Sequence, residues 1–358
     1  MIDLRVEAED LRAYAAALLR AVGAAEDSAR ITADVLVASD LRGHESHGVA
    51  RLEKYYVRPL QAGLINADAK LTVLHETAAT IAFDAMNGLG HPSTKYAMDA
   101  CIAKARTAGL CIASIRHSNH YGIAAYYAMQ ALEHDMIGFC CTDAGPLAVP
   151  TGGLVGLLGS NPIAFAAPAG LEQPFVLDMA TSVVPVGKVE VKARRETPLP
   201  AGWAVDAYGN PATDAAAVLN GLSLGQGGGL MPLGGAEAGH KGFGLSAMVD
   251  ILCGVLAGAS SNLGRGYNPG EPTDVGHMVA AIDIAAFCPV DEFKANLDSY
   301  IDVLHQQPTA PGVDRVRVAG EPEFEAEQKR LRDGIPLHDG VVTSLRALGG
   351  ELRVASPF

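Results

Sequence analysis

The chain has 358 residues, of which 49% are apolar and 19% charged, and its formal net charge is −13. This length allows two or three domains, and the balance of residues is that of a soluble globular protein rather than a disordered one. The acidic charge argues against a nucleic-acid or anionic-membrane surface, because both rely on clustered Lys and Arg. We therefore expect a small-molecule ligand and no nucleic-acid or membrane partner.

The amino terminus has neither the basic start nor the apolar run of a signal peptide, and no run of about 18 uncharged apolar residues predicts a membrane span. We therefore predict a cytoplasmic protein. The six cysteines show no C-x-x-C spacing, which indicates reduced, mostly buried thiols rather than a disulfide framework or a zinc ribbon.

The first part of the chain is predicted to be helical. Apolar residues at helical spacing indicate two packed helices over 7–22 and 26–41. Glycines then interrupt this pattern, so we expect a polar loop followed by a short helix from about 48 to 60. If that helix includes His47 and Arg51, the two side chains share a face, because they are four positions apart.

From about residue 72 the pattern alternates between strand and helix, which is the sign of an α/β region. The predicted elements are, in order, a strand-like run at 71–84, a helix at 93–107, a strand at 110–115, a helix at about 121–134 and a strand at 136–142.

The second half is less regular. Residues 145–185 have the composition of strands and turns, and the segment 196–240 is rich in Gly and Pro, which favours a binding loop or lid. The later predicted elements are an apolar helix at 242–258, a strand at 277–284, a charged helix at 291–306 and an acidic and basic part from 321 onward.

Residues 39–56 hold the densest group of functional side chains. Within ten positions they contain Arg42, His44, Ser46, His47 and Arg51. An imidazole that exchanges a proton near neutral pH, a hydroxyl that orients it and a guanidinium that grips a carboxylate suit chemistry on a small carboxylic acid. A helix start capped by Ser46 with solvated histidines would explain any one residue alone, but it explains the combination less well.

A second polar group, from His117 to His120, falls where a strand ends and a helix begins. Ligands are usually held at such junctions in α/β folds. The spacing of His44 with His47, and of His117 with His120, also suggests a metal site. However, there is no H-E-x-x-H motif and no nearby Asp or Cys with ligand spacing, so we assign no metal ligand.

Three further motifs are weak by themselves. The stretch Gly239–Ala247 matches G-x-G-x-x-A formally, but no clear strand precedes it, and no acidic residue follows at the expected distance. Lys241, between glycines at a helix start, could still bind a cofactor phosphate. The turns at 159–162 and 178–182 are ordinary strand ends when each is taken alone.

Taken together, these motifs strongly resemble the malate/L-lactate dehydrogenase family of the second type. They occur in the same order as in that family and span most of the chain. The family also contains sulfolactate and ureidoglycolate dehydrogenases and Δ1-piperideine-2-carboxylate reductases. The motifs that carry the resemblance are Arg42-Gly43, Ser46-His47-Gly48-Val49, Arg51-Leu52, Ser118-Asn119-His120, Gly159-Ser160-Asn161-Pro162, Asp178-Met179-Ala180-Thr181-Ser182, Gly202-Trp203-Ala204 with Asp206, and Gly239-His240-Lys241-Gly242.

The resemblance implies an oxidoreductase that uses NAD or NADP, with an α/β fold that is not the usual Rossmann domain, working as a homodimer. It implies a helical domain formed by both chain ends, residues 1–75 with 290–358. The intervening residues 76–289 would then form the α/β domain that binds cofactor and substrate.

The same resemblance implies roles for individual residues. Ser46, His47, Arg51 and His120 are implied to line the substrate pocket. Among these residues we predict His120, His47 and Ser46 to be catalytic, and Arg51, with the neighbouring His44, to contact the substrate. The implied cofactor contacts are Asn161, Asp178, Met179, Ala180, Lys241, Gly242, Gly320 and Glu321.

Two positions depart from the family pattern. Where many relatives have Thr-Asn-Ser before a proline, this chain has Thr142-Asp143-Ala144-Gly145-Pro146, and Ala319 replaces the proline of Pro-Gly-Glu. The first departure puts a carboxylate near the expected substrate, which bears on the identity of the acid but not on the reaction type.

We therefore expect hydride transfer between a nicotinamide and a small 2-hydroxy or 2-oxo acid of the malate, lactate or sulfolactate type. An imidazole with a pKa of about 6.5 can give and take the proton that this reaction needs, and His120 is the expected residue. One alternative is a cyclic ketimine (Δ1-piperideine-2-carboxylate) reductase. Another, from a different class, is a histidine-based metal-dependent hydrolase or lyase, and a non-catalytic binding protein of this fold is a third.

Overall fold

A computed structural model describes residues 4–260 and 271–358. Its strands are, in chain order, β1 (Leu4–Val6), β2 (Thr72–Glu76), β3 (Thr80–Asp84), β4 (Leu110–Ser118), β5 (Met136–Thr142), β6 (Ile163–Ala167), β7 (Phe175–Met179), β8 (Ala204–Val205), β9 (Gly229–Leu230), β10 (Val275–Asp283) and β11 (Ile335–Leu337).

The α-helices are α1 (Ala8–Ala21), α2 (Glu26–Leu41), α3 (Arg58–Gln61), α4 (Gly90–Ala108), α5 (Ala124–Gln130), α6 (Val186–Arg194), α7 (Ala215–Leu224), α8 (Gly235–Asp250), α9 (Val290–His305), α10 (Glu321–Asp333) and α11 (Asp339–Leu352). Within the described ranges no helix is both long enough and apolar enough to cross a bilayer.

A seven-stranded mixed sheet forms the centre of the α/β part, with strand order β2-β3-β4-β10-β5-β6-β7. Only β3 and β4 pair in parallel; the other neighbours are antiparallel. The late strand β10 inserts between β4 and β5, and its Val279 pairs with Ala113 on one side and Cys140 on the other. The predicted α/β class is confirmed.

The inner strands have apolar side chains on both faces. This is why they stand out in the sequence as apolar runs and why the alternation of strand and helix could be predicted. Helices α4 and α5 cover the sheet, and residues such as Met98, Tyr127 and Val279 lie in their shared core. Strand β4 ends at Ser118 and α5 begins at Ala124, so the junction expected near 117–120 is present.

Several boundaries differ from the predictions. The run at 71–84 is a hairpin of two strands, because Thr77 and Thr80 close a turn within it. The segment 196–240, expected to be a loop or lid, contains α7, β8 and β9 around an apolar cluster that includes Val218 and Leu230. Helix α8 begins at Gly235, earlier than the predicted start at 242, because the glycines in its first turns have a low helix propensity.

The glycine at 242 is explained by a close backbone approach. A Cβ at Gly242 would lie 2.3 Å from the Leu233 nitrogen, so α8 can pack against that segment only without a side chain there. The helix is also kinked at Ala238, where φ is −123°, and it resumes with Gly239.

The two chain ends meet. Strand β1 pairs with β11, and α1 and α11 share a core that includes Leu11, Leu18 and Leu345. The hydroxyl of Tyr14 donates to the Leu345 carbonyl oxygen at 2.7 Å in the buried space between these helices. Helix α9 instead contacts the central part: Lys294 pairs with Asp135, and Asp298 accepts hydrogen bonds from the backbone at 170–172.

Replacing Tyr14 with Phe tests how much the contact between the chain ends stabilises the fold. Since the buried Leu345 carbonyl would lose its side-chain donor, we expect Tyr14→Phe to lower the free energy of unfolding by about 1–2 kcal/mol. Urea denaturation would measure the change. Tyr208→Phe is the matched control, because Tyr208 is 85% exposed, and its stability should equal that of the wild type. Equal stability of both variants would show that the Tyr14 contact contributes nothing.

Candidate active site

The polar loop after α2 is shaped by a buried carboxyl group. Asp40, in the last turn of α2, accepts a hydrogen bond from the Val49 backbone at 2.8 Å and lies directly beneath Gly48. A Cβ at Gly48 would be 1.9 Å from Asp40 Oδ1, so only glycine fits there. Burial raises the pKa of Asp40 to about 7, against the lowering effect of the Val49 N–H.

Two imidazole rings stack beside this loop. Ser46 Oγ lies 2.9 Å from His47 Nδ1, and the rings of His47 and His120 are stacked with centroids 5.7 Å apart. The hydroxyl of Tyr56 forms a short hydrogen bond with His120 Nδ1. The three predicted catalytic residues therefore lie together, although His47 and His120 come from the first helical region and the β4–α5 junction.

Neither ring has the pKa near 6.5 expected from the sequence. Burial, together with the charge of Arg51, lowers the pKa of His47 to about 4. Burial and the neighbouring His47 lower the pKa of His120 well below its usual value. The expectation was wrong because a single sequence does not show how deeply a side chain is desolvated. The lowered pKa values favour the neutral form of both rings at pH 7.

Arg51 is held on every side. Its Nε donates to the Ser46 carbonyl oxygen at 2.6 Å, and its guanidinium carbon lies 4.9 Å from the centre of the Tyr55 ring. Its Nη1 and Nη2 donate to the two carboxylate oxygens of Glu190 at 3.3 and 2.8 Å. The guanidinium is near the histidine pair, but an internal carboxylate occupies the edge that was predicted to take the substrate.

His44, a predicted substrate contact, faces α10 rather than the histidine stack. Its Nε2 lies 3.9 Å from a carboxylate oxygen of Glu323. The neighbouring Arg42 is buried, donates to Glu327 at 3.1 Å and stacks on Phe324. Helix α10 thus holds the loop that carries Ser46 and His47, two of the predicted catalytic residues.

Backbone hydrogen bonds bring three of the predicted cofactor segments together. Thr181 N donates to Ser160 O, Leu233 N to Thr181 O, and Gly242 N to Leu233 O, at 2.8, 2.8 and 3.1 Å. These bonds join the turns at 159–162 and 178–182 to the helix that carries Lys241. Lys241 itself is exposed, in the first turn after the kink of α8.

The end of β7 connects this group to the segment that follows His120, one of the predicted catalytic residues. Asp178 Oδ2 accepts a hydrogen bond at 2.8 Å from the Ala125 backbone, five residues after His120. Burial raises the pKa of Asp178. Met179 and Ala180, which follow it, are half-buried. On the neighbouring side, a Cβ at Gly320 would lie 3.0 Å from Val176, so the start of α10 packs tightly on β7.

The side chains of two predicted cofactor contacts, Asn161 and Glu321, form hydrogen bonds with other parts of the protein. Asn161 is buried, and its amide donates to Ser246 and Asp250 and accepts from the Ala144 backbone. Glu321 pairs with His305 at 2.8 Å and accepts from the Val318 backbone at 2.8 Å. These contacts position the surrounding backbone.

The departure at Asp143 has a structural explanation. The Asp143 carboxylate is buried and accepts a hydrogen bond from the Gly276 backbone at 2.9 Å. Next to it, Thr142 Oγ1 bonds His277 Nδ1 at 2.7 Å. The pair joins the end of β5 to the start of β10.

The histidine-based metal site expected as an alternative has no geometric counterpart among the residues described. His117 pairs with Asp84 at 2.9 Å instead of joining His120. In residues 4–260 and 271–358, the one group of side chains with ligand spacing is Glu172, His305 and Glu321, which contains none of the four histidines of the motif.

Four neighbours of the predicted site residues were missed. Tyr55 and Tyr56 follow Arg51 by four and five positions, so helical spacing could have placed them beside it. No sequence pattern points to Glu190, because it lies 139 positions away from its partner Arg51. His91 is also buried against Tyr56, with ring centroids 4.8 Å apart.

Comparison with known proteins gives matches along the whole chain. A sequence model of the malate/L-lactate dehydrogenase family matches residues 6–346. Malate dehydrogenase of Pyrococcus horikoshii is 40% identical over 354 residues, 98% of this chain and 96% of that protein. Malate/(S)-sulfolactate dehydrogenase of Methanothermus fervidus is 34% identical over 351 residues, 98% of each chain.

The fold comparison agrees. The crystal structure of malate dehydrogenase from Entamoeba histolytica superposes with a TM-score of 0.96 at 33% identity, covering 99% of this chain and 100% of the other.

The buried carboxyl group under the loop predicts a pH dependence of stability. In the unfolded chain Asp40 has a pKa of about 3.9, so its protonated form is favoured in the fold. The protonated carboxyl contributes fully to the free energy of unfolding below about pH 4, and this contribution is lost as the pH rises to about 7. The total loss is at most about 4 kcal/mol. We expect Asp40→Asn to remove this slope and to be more stable than the wild type at pH 8.

Thermal unfolding between pH 5 and 8 would measure this difference. The control is Asp291→Asn, at an exposed position on α9, which should keep the wild-type slope. Parallel curves for the wild type and Asp40→Asn would contradict the assignment.

Proposed function

This chain belongs to the malate/L-lactate dehydrogenase family, and from that premise we propose that it transfers a hydride between a nicotinamide cofactor, NAD or NADP, and a small 2-hydroxy acid. The family resemblance expected from the motifs is confirmed, and with it the class of dehydrogenases that act on a CH–OH group. The observation that supports the proposal most strongly is the stack of His47 and His120 beside Arg51.

We assign His120 as the residue that exchanges the proton. In the tautomer whose Nδ1–H donates to the Tyr56 hydroxyl, Nε2 carries no proton and is the nitrogen left to accept one from the substrate hydroxyl. A neutral imidazole can accept that proton during oxidation of the hydroxy acid. In the reverse direction the ring must first be protonated, and a bound substrate carboxylate favours this because an opposite charge raises the pKa of an imidazole.

His47 and Ser46 support this exchange. The Ser46 hydroxyl bonds His47 Nδ1, which fixes the orientation of the ring against His120. We propose that His47 polarises the oxygen of the substrate, while Arg51 receives the carboxylate. His44 remains a proposed substrate contact, reached after its ring leaves Glu323.

The residues around β7 fit a nicotinamide cofactor. An exposed Lys241 at the resumption of α8 offers a cation where helix N–H groups also favour an anion such as pyrophosphate. Asp178 is bonded to the Ala125 backbone near His120, and Met179 and Ala180 lead from it to Thr181, which is linked through Leu233 to Gly242. Gly242 and Gly320 allow close backbone packing there. When bound, the cofactor supplies or accepts the hydride. We propose that Asn161 and Glu321 act by positioning this backbone.

The test is a cofactor-consumption assay with purified protein. NADH and NADPH would each be mixed with pyruvate, oxaloacetate, sulfopyruvate, 2-oxoglutarate or piperideine-2-carboxylate, and the absorbance of the reduced nicotinamide followed. Oxidation with an open-chain 2-oxo acid is the expected result. Turnover of the cyclic imine alone would favour the ketimine reductase, and failure to bind either cofactor would contradict the proposal.

The His120 assignment predicts a specific kinetic defect. Because proton exchange would be lost while the cofactor contacts stay, we expect His120→Gln to lower turnover by about 10²–10⁴ and to leave cofactor affinity unchanged. Steady-state rates and a cofactor titration would measure both. His75→Gln, at an exposed position on β2, is the control and should retain full turnover. Wild-type turnover in His120→Gln would remove this residue from the mechanism.

We also propose the domain arrangement and a location in the cytoplasm, as expected from the sequence. Pairing of β1 with β11 and the shared core of α1 and α11 support a helical domain of residues 1–75 with 290–358, beside the α/β domain of 76–289. Helix α9 belongs to 290–358 but contacts Asp135 and residues 170–172 of the α/β part, so we propose that it lies at the border of the two domains.

We further propose a homodimer, supported by an apolar surface on α8 and on the π-helical turn Ile251–Leu256 that follows it. Its members are large, exposed and spaced along one stretch of helix: Met248, Ile251, Val255 and Leu256. Such a patch is unusual on a monomer unless it binds a partner.

Charge placed in this surface should separate the subunits. We expect Val255→Lys to elute as a monomer at concentrations where the wild type is a dimer, because the ammonium would be buried without a partner. Size-exclusion chromatography with light scattering measures the mass. Tyr208→Lys, elsewhere on the surface, should remain a dimer. A dimeric Val255→Lys would place the subunit contact elsewhere.

A further inference from the structure

Helix α6 docks on the catalytic loop at two points. A Cβ at Gly187 would lie 2.6 Å from the Ser46 Cβ, so the first turn of α6 lies directly against that residue. One turn further, Glu190 forms the two-point ion pair with Arg51. The side chains of Arg51 and Glu190 are only 11% and 25% exposed, so water screens the pair weakly.

This ion pair conflicts with two-point binding of a substrate carboxylate. Arg51 Nε is committed to the Ser46 carbonyl, and the Nη1–Nη2 edge is committed to Glu190. A second carboxylate cannot use the same edge while Glu190 occupies it. Two carboxylates side by side would also repel each other.

We propose that Glu190 is an internal substitute for the substrate carboxylate and determines which ligands Arg51 accepts. A substrate carboxylate replaces Glu190 on the guanidinium, and this exchange releases α6 from the catalytic loop. Only an anionic ligand able to make the same two-point contact can compete, so neutral amides and esters of the acid are excluded. The inference rests on the proposed function, in which Arg51 receives the carboxylate.

The protein contains a reporter of this movement. Trp203 is its single tryptophan. It is half-buried and packs against the apolar cluster to which α6 contributes Val186 and Val189. Release of α6 would therefore change the surroundings of the indole ring and its fluorescence.

The kinetic test is the pair Glu190→Gln and Glu190→Asp. Glutamine keeps the size but offers a neutral oxygen, which competes less well for a guanidinium. We expect Glu190→Gln to lower the KM for the acid roughly tenfold and to leave kcat within about threefold, and Glu190→Asp to stay nearer the wild-type KM. An unchanged or raised KM in Glu190→Gln would overturn the proposal. Glu292→Gln, exposed on α9, is the matched control and should behave as wild type.

The second test does not depend on turnover. Oxamate, a stable carboxylate analogue of pyruvate, would be titrated into wild type and Glu190→Gln while Trp203 fluorescence is recorded. We expect a saturable change in the wild type and a much smaller one in Glu190→Gln, whose emission should already resemble that of the oxamate-bound wild type. Oxamate binding, seen by calorimetry, with no change in wild-type fluorescence would overturn the exchange.

The two tests separate this inference from the proposed reaction. If no acid in the panel consumes cofactor but oxamate changes Trp203 fluorescence as described, the exchange at Arg51 stands and the proposed reaction is wrong. If acids are reduced but neither KM nor fluorescence depends on Glu190, the reaction stands and the exchange is wrong.

Discussion

The placement of Arg51 is the constraint on which the candidate active site depends. Its guanidinium ties together the loop of Ser46, the aromatic ring of Tyr55 and the carboxylate of Glu190 on α6. A guanidinium can do this because its donors lie in one plane and point in different directions, whereas the ammonium of lysine is a compact charge. The same geometry that orders the site also leaves Arg51 occupied before a substrate arrives.

The pKa values of the stacked pair His47 and His120 depend on this placement of Arg51. Stacking His47 on His120 beside a cation and away from water makes the charged form of each ring unfavourable, which is why their pKa values fall. A neutral pair is suited to accept a proton from a hydroxyl group. An anionic ligand on Arg51 would offset the positive charge and restore the ability of the pair to donate.

Much of the fold and of the site could be predicted from the sequence, because the signals are local. Helical spacing predicted α1 and α2, and the junction of strand and helix lies where it was predicted, between Ser118 and Ala124. Helix α7 was missed because its flanks are rich in glycine and proline, and its stability comes from packing against residues such as Leu230. The partnership of Arg51 with Glu190 and the lowered pKa of His120 could not be predicted, since both depend on distant segments meeting in three dimensions.

The most direct test of the central claim follows the hydride itself. A 2-hydroxy acid that the enzyme oxidises would be labelled with deuterium at C2, and the reduced cofactor isolated and analysed by mass spectrometry. Direct transfer predicts one deuterium on the nicotinamide ring of the product. Reduced cofactor without the label, with the deuterium released to water, would contradict a hydride transfer between the acid and the nicotinamide.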